Sequence, residues 1–235
     1  MKEHRKSGKA DPATDRREIV SRRARPAKAP LSQEIIVTTA LDLVSQDGMA
    51  GLSLRKVAAA LDTGAASLYV YVANLDELLA LVLDRVLAEV ERPADPEGDW
   101  REQLKTVLRS YFRVLYERPG LAQVALRTSP TGANMMDLTE TLLVLLGRGG
   151  LDTGRAAWAL DLLLLHSAAL AAERDNRRYT DSATLQRMRD ATQALASESY
   201  PQIHAAGDEL YSGARERYEW ALDVLINGVL DTPRP

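Results

Sequence analysis

Thr63, Gly64, Ala65, Ser67, Tyr69 and Tyr71 fall in one short stretch that combines small residues, two short hydroxyl-bearing side chains and two phenols. Hydroxyls and phenols donate to phosphate oxygens and base edges. Residues without bulk let the start of a helix approach a polyanion, where its free amides favour a negative group. Arg55 and Lys56 lie just upstream, placed to clamp a neighbouring phosphate strand. In this reading the phosphate contacts set register, and groove contacts from 63–67 and 71 specify sequence. Each residue also has a plainer reading. Leu68, Val72 and Tyr69 suit packing, and Arg55 suits a solvated charge.

The elements that must hold these groups are legible nearby. Ser32 can cap a first helix with an apolar stripe of Ile36, Ala40, Leu41, Leu43 and Val44, which Gly48 ends. Ser53, itself a candidate DNA contact, can cap a second, with Val57, Ala58 and Leu61 facing inward. A turn at Asp62-Thr63-Gly64 leads to a short third helix over 65–71. Asn74 followed by Glu77 has the form of a capping box and opens a fourth helix to about Glu91, where Pro93 and Pro96 stop it. Two short helices joined by a tight turn, behind one amphipathic helix, are built to place the second in a DNA major groove.

The string from Gly48 through Ser53-Leu-Arg-Lys-Val-Ala and Leu61 to Leu68-Tyr69-Val70-Tyr71-Val72, then Asn74 and Asp76-Glu77-Leu78-Leu79, resembles the tetracycline-repressor family of bacterial transcriptional regulators. The resemblance covers about 31–80. The rest is similar in length and helix count to the subgroup whose C-terminal domain resembles that of the tetracycline repressor itself. It implies an all-α chain: a helix-turn-helix DNA-binding domain over 31–80, and a helical effector-binding and dimerisation domain over 81–235. It also implies a double-stranded DNA operator and a small-molecule effector as partners. Three departures stand out. Asp62 occupies a usual glycine position, implying a looser or differently capped turn. Leu75 replaces a common phosphate-binding lysine, and Val70 and Val72 replace a histidine and an aromatic.

Charge divides the chain unevenly. Residues 1–30 carry ten Lys or Arg against four acids, so this tail is +6 and the remainder −9. Two readings of it stand: a solvated leader, or a disordered basic arm in which Arg22, Arg23 and Arg25 reach phosphates or a minor groove. Residues 31–80 hold two cations against six acids, a net −4 that opposes binding to a polyanion. The arm would offset it.

The 235 residues contain no cysteine and only three histidines, far apart, which excludes disulfides and argues against a metal or other cofactor. No apolar run of membrane-spanning length and no secretory signal is evident, so a cytoplasmic protein with no membrane role is expected. With no nucleophile–base set, ligand spacing or phosphate loop, catalysis is not expected.

Beyond the linker 95–99, helices are expected near 99–117, 120–128, 135–147, 154–174, 182–197 and 208–229. The runs 156–172 and 220–230 are apolar on more than one face. They serve either an intramolecular core or, as the resemblance favours, a homodimer through helices near 154–174 and 208–230. Tyr111, Phe112, Tyr116, Gln123, Asn134, Met135, Trp158 and His166 are candidate effector contacts in an otherwise apolar pocket, and each has an alternative as core. No histidine set suits a magnesium–tetracycline chelate, so a moderately hydrophobic effector is expected. It would tilt the helix over 75–91, and ligand and DNA affinity would then oppose each other reciprocally. The alternative is a small-molecule-binding helical dimer with weak or lost DNA binding.

Overall fold

Short-range capping decides where the first helices begin. The computed structural model describes residues 30–95, 97–128, 130–177, 182–195 and 198–234. Ser32 Oγ accepts the Ile35 N–H at 3.3 Å and opens α1 (Gln33–Asp47), which buries Ile36, Val37, Ala40 and Val44. A 3-10 turn at Met49–Gly51 leads to α2 (Leu54–Ala60), capped by Ser53. The next helix, α3 (Ala65–Leu68), is a single turn rather than reaching Tyr71. Residues 69–71 are turns, held by Tyr71 and Val72 N–H groups that both donate to the Leu68 carbonyl.

Asn74 Oδ1 accepts the Glu77 N–H at 2.8 Å and starts α4 (Leu75–Leu87), while Glu77 reaches back to the Ala73 amide. The expected extension to Glu91 is corrected. After Leu87 the chain tightens into i→i−3 bonds, Glu89 to Val86 and Val90 to Leu87, before Pro93.

The bundle consists of α5 (Trp100–Tyr116), α6 (Leu121–Ala125), α7 (Ala133–Arg148), α8 (Thr153–Arg177) and α11 (Ala214–Asp231), with α9 (Ser182–Gln193) and α10 (Pro201–Ala206) between the last two. No strand occurs among the described residues, and the fold is all-α. Ser32–Pro235 forms one compact unit, and α4 runs unbroken across 80/81. The single helix expected over 208–229 is corrected. Pro201, at the first helical position, opens α10 instead of only breaking the chain, a 3-10 stretch follows over Gly207–Tyr211, and α11 starts after the left-handed Gly213.

α8 is the central helix, packed against α5, α6, α7 and α11. Here the expectation about apolar length needs correction, because α8 is long and apolar enough to cross a membrane. Its buried residues, from Ala156 through Leu163 and Ser167 to Ala172, face other helices.

One polar joint fastens α5 to α11. Lys105 is only 7% exposed, and its ammonium donates to both Asp223 carboxylate oxygens at 2.9 Å. Arg109 holds Glu219 through two bonds at 2.7 and 2.8 Å. That bidentate contact, aided by charge, keeps the Glu219 carboxyl below its ordinary value of 4.5. A carboxyl depressed in the folded state stabilises above its unfolded pKa, and the stabilisation is lost as pH falls through the folded value. Glu219→Gln should therefore lower stability at pH 7 by about 0.5–1 kcal/mol, the pair being about a third exposed, and lose less than wild type on acidification below pH 4.5. Urea unfolding at pH 7 and pH 4 tests this, and equal losses in both proteins would rule it out.

Candidate DNA-reading head and effector cavity

The turn before α3 is closed rather than loose. Thr63 N–H reaches the Ala58 carbonyl at 2.9 Å and Asp62 N–H reaches Ala59 at 3.0 Å, the double bond pattern of a helix C-cap. Asp62 takes the left-handed conformation (φ 48°) that glycine usually supplies. Among non-glycine residues Asp tolerates it comparatively well, because its short polar side chain bonds locally. The looser turn expected from Asp62 is thus corrected.

Leu68 and Val72 are buried and anchor α3, as packing residues should. Tyr69 is 57% exposed, which corrects its reading as a packing residue, and Val70 is 79% exposed. Gly64 and Ser67 are exposed, and Thr63, Ala65 and Tyr71 are half-buried. Gln33 Nε2 donates to the Tyr71 carbonyl at 3.3 Å and ties α1 to this turn. Ser53 Oγ accepts the Lys56 N–H at 3.3 Å and acts as a cap. Arg55 is exposed, whereas Lys56 pairs with Asp47 at 3.0 Å across the surface. Such an exposed pair is worth under about 1 kcal/mol, so the ammonium can exchange Asp47 for a phosphate. Arg22, Arg23 and Arg25 lie outside the described residues.

A cavity of about 390 Å³ opens between α4, α5, α7 and α8 and the segment following α6. Its closed end is formed by buried Leu83, Leu87, Tyr111, Leu164 and Ala168, and its mouth by exposed Leu126, Arg127, Met136, Asp161 and Leu165. Of the eight effector candidates from sequence, only Tyr111 and Met135 meet here. Tyr116 and His166 line a second cavity with Arg174 and Trp220, and Gln123 lines a third beside Asp47 and Asp175. Trp158 lies in a groove between α8 and α11. Phe112 packs against Tyr116 and Tyr218, with the Arg174 guanidinium 5.0 Å from its ring centre. Burial lowers the His166 pKa, and its shielded Nε2 has no hydrogen-bond partner among the described residues. Sequence reasoning passed over Leu83, Leu87, Thr128, Asp161 and Leu164. The α4 pair was signalled by its apolar stripe, but nothing local says that the stripe faces a cavity.

Asn134 is engaged in structure, and the partner that engages it is informative. Asp84 of α4 accepts the Met135 N–H at 2.9 Å and Asn134 Nδ2 at 3.1 Å, while Arg92 donates to the Asn134 carbonyl. Asp84 therefore caps α7 from another helix. The true N-cap is Gly132, where a Cβ would collide with that carboxylate.

A second joint links the head to the bundle. Met49 N–H donates to the Pro119 carbonyl at 3.2 Å, and Asp175, buried near the end of α8, accepts the Gly120 N–H at 2.7 Å. Gly120 has φ +87°, and a Cβ there would lie 2.7 Å from Met49 Cβ. Gly120→Ala should cost at least about 1–2 kcal/mol. Thermal and urea unfolding of the full chain would show it, and an unchanged midpoint would contradict this account of the joint.

Comparison with known proteins agrees with this geometry. Residues 92–232 match the family model described as "Tetracyclin repressor-like, C-terminal domain". The crystal structure of the TetR family protein ActR of Streptomyces coelicolor, in complex with actinorhodin, superposes with a TM-score of 0.81 at 38% identity, covering 86% of this chain and 98% of that one. The HTH-type transcriptional repressor DrrR1 of Streptomyces coeruleorubidus is 29% identical over 219 residues, 87% of this chain and 80% of its own. With the matched model spanning more than half of its length and a reading head in front of it, this chain belongs to the tetracycline-repressor family of transcriptional regulators.

Proposed function

We propose that this ligand-responsive DNA-binding regulator is a dimeric repressor, released from a palindromic operator by a small, moderately hydrophobic effector. The observation that carries the reading is one helix with two duties. The N-terminal end of α4 is capped immediately after the reading turn, and its Leu83 and Leu87 wall the cavity. A ligand that displaces α4 moves the head, and linkage then requires ligand and operator to weaken each other equally.

The domain division proposed is a basic arm over 1–30, a head over 31–80 and an effector and dimerisation domain over 81–235. Arg55, Lys56, Ser67, Tyr69 and Tyr71 are the proposed DNA contacts, with Thr63, Gly64 and Ala65 allowing close approach. Ser53 contributes by capping α2. Tyr111 and Met135 are the proposed effector contacts. The remaining six candidates do not line this cavity; Asn134 and Phe112 are held in packing and hydrogen bonds, and Tyr116, Gln123, Trp158 and His166 line other pockets.

The dimer is proposed through α8 and α11. Trp158 (58% exposed), Leu162 and Leu165 form an uncovered apolar row on α8, and Trp220 (68% exposed) and Val224 continue it on α11. Apolar surface of this extent on two adjacent helices fits burial against a second copy. Action on DNA supports a cytoplasmic location. The head's net −4 and the Lys56–Asp47 pair favour one rival, a helical ligand-binding dimer with weak DNA affinity.

Selection from random duplex DNA, followed by a salt titration of the best site, tests these readings. One palindrome should be recovered. Arg55→Ala should reduce the slope of log affinity against log salt by about one, Lys56→Ala by less, and removal of residues 1–28 by more than either. Failure to enrich any sequence at low salt would favour the rival. Trp220→Glu should shift sedimentation toward monomer and weaken operator binding together, and a variant that stays dimeric would move the interface elsewhere.

A further inference from the structure

Two tyrosines in the bundle are equally buried, at 5% exposure each, and differ in what their hydroxyls do. Tyr218 donates to the Leu108 carbonyl at 2.9 Å and meets Ser167 Oγ at 3.2 Å. Tyr111 lines the closed end of the α4–α8 cavity, and its hydroxyl makes no hydrogen bond to any other described residue. The hydroxyl is not among the described side-chain atoms that are shielded and left without a partner, so it opens onto the cavity rather than being sealed in hydrocarbon. A donor left unused at the wall of a cavity is therefore a donor for whatever fills the cavity.

The surroundings define the acceptor. The closed end around Tyr111 is hydrocarbon, from Leu83, Leu87 and Leu164, while the charged lining residues Arg127 and Asp161 stand exposed at the mouth. A carboxylate or phenolate carried to the floor would lose its hydration with no cation to meet it. Burial also pushes the Tyr111 phenol well above its ordinary value of 10, so it remains a donor at any physiological pH.

We propose that Tyr111 is the specificity-determining anchor of the effector site, and that the effector presents to it an uncharged carbonyl oxygen, of the ketone or lactone type, on an apolar skeleton. Any charged group on the effector remains at the mouth. This rests on the α4–α8 cavity being the effector site.

The neutral fluorescent ketone 6-propionyl-2-(dimethylamino)naphthalene, titrated into the full-length protein, is the probe. Tyr111→Phe removes one hydroxyl without emptying the core. It should weaken binding roughly three- to ten-fold and shift the bound probe's emission to the blue, since the carbonyl loses its donor. In displacement, 2-acetylnaphthalene should lose affinity for the Phe variant, 2-ethylnaphthalene should bind both proteins alike, and 2-naphthoate should be the weakest of the three. Met135→Trp, which fills the cavity, should abolish binding. The proposal is overturned if wild type does not bind the ketone, if Tyr111→Phe matches wild type in affinity and emission, if naphthoate is preferred, or if the Trp variant still binds. Operator affinity with and without the probe is measured separately. Tyr111-dependent binding that leaves operator affinity unchanged would defeat the effector reading while leaving the carbonyl site intact.

Discussion

The burial of α4 is the constraint on which everything else rests. Leu78, Val82, Leu83, Val86 and Leu87 are all essentially inaccessible, so the helix is clamped along its core-facing side. Burying each such side chain is worth roughly 1.5–3 kcal/mol, which is far more than any surface ion pair in the molecule supplies. A helix held this firmly responds to a change at one end by moving as a body. Allosteric coupling is typically about 1–3 kcal/mol, so a ligand can bias the helix position without unpacking its core face.

Polar contacts do a different job in this fold: they fix direction rather than supply bulk stability. Asp84 caps α7, Asp175 holds the Gly120 amide, and Glu219 and Asp223 hold Arg109 and Lys105. In each case a carboxylate from one element binds a donor of another distant in sequence, and such bonds are stronger than neutral ones. Two of the four lie on the proposed route from cavity to head. Asp84 joins α4 to the start of α7, where Met135 and Met136 line the cavity. Asp175 joins α8 to the turn whose Pro119 carbonyl receives the Met49 amide.

What could be read from sequence was what local chemistry decides. Ser32, Ser53 and Asn74 cap helices because the partner amide is three residues away, and no tertiary information is needed. Helical spacing gives Ile36, Ala40 and Val44 of the α1 stripe and the anchor Leu68, but Leu41 and Leu43 are only half-buried, Val37 is buried instead, and the anchor Val72 lies beyond the end of α3. Tyr69 had both a packing and a DNA-contact reading because a phenol beside Leu68 fits either pattern, and only the packing of α3 on α2 shows that it points outward. The effector residues were less legible for the same reason. Tyr111 and Tyr116 lie close together on one helix, yet they line different cavities, and that separation depends on how α4, α8 and α11 cross α5.

The head's charge gives this architecture its particular character. With a net −4 over 31–80 and Lys56 held by Asp47, long-range attraction to phosphate is weak in the head itself. What it presents instead is an uncharged surface of Ser67, Tyr69 and Val70, with the small Gly64 beside them, set on a turn closed by Asp62 in a left-handed conformation. Such a surface discriminates by hydrogen-bond and apolar complementarity at short range, which depends steeply on where the helix sits. A head that draws little affinity from distance-tolerant charge loses a larger fraction of its binding when α4 shifts it slightly. Under the proposed function, the basic arm supplies the distance-tolerant attraction and the head supplies the short-range fit, so a displacement of α4 acts on the fit alone.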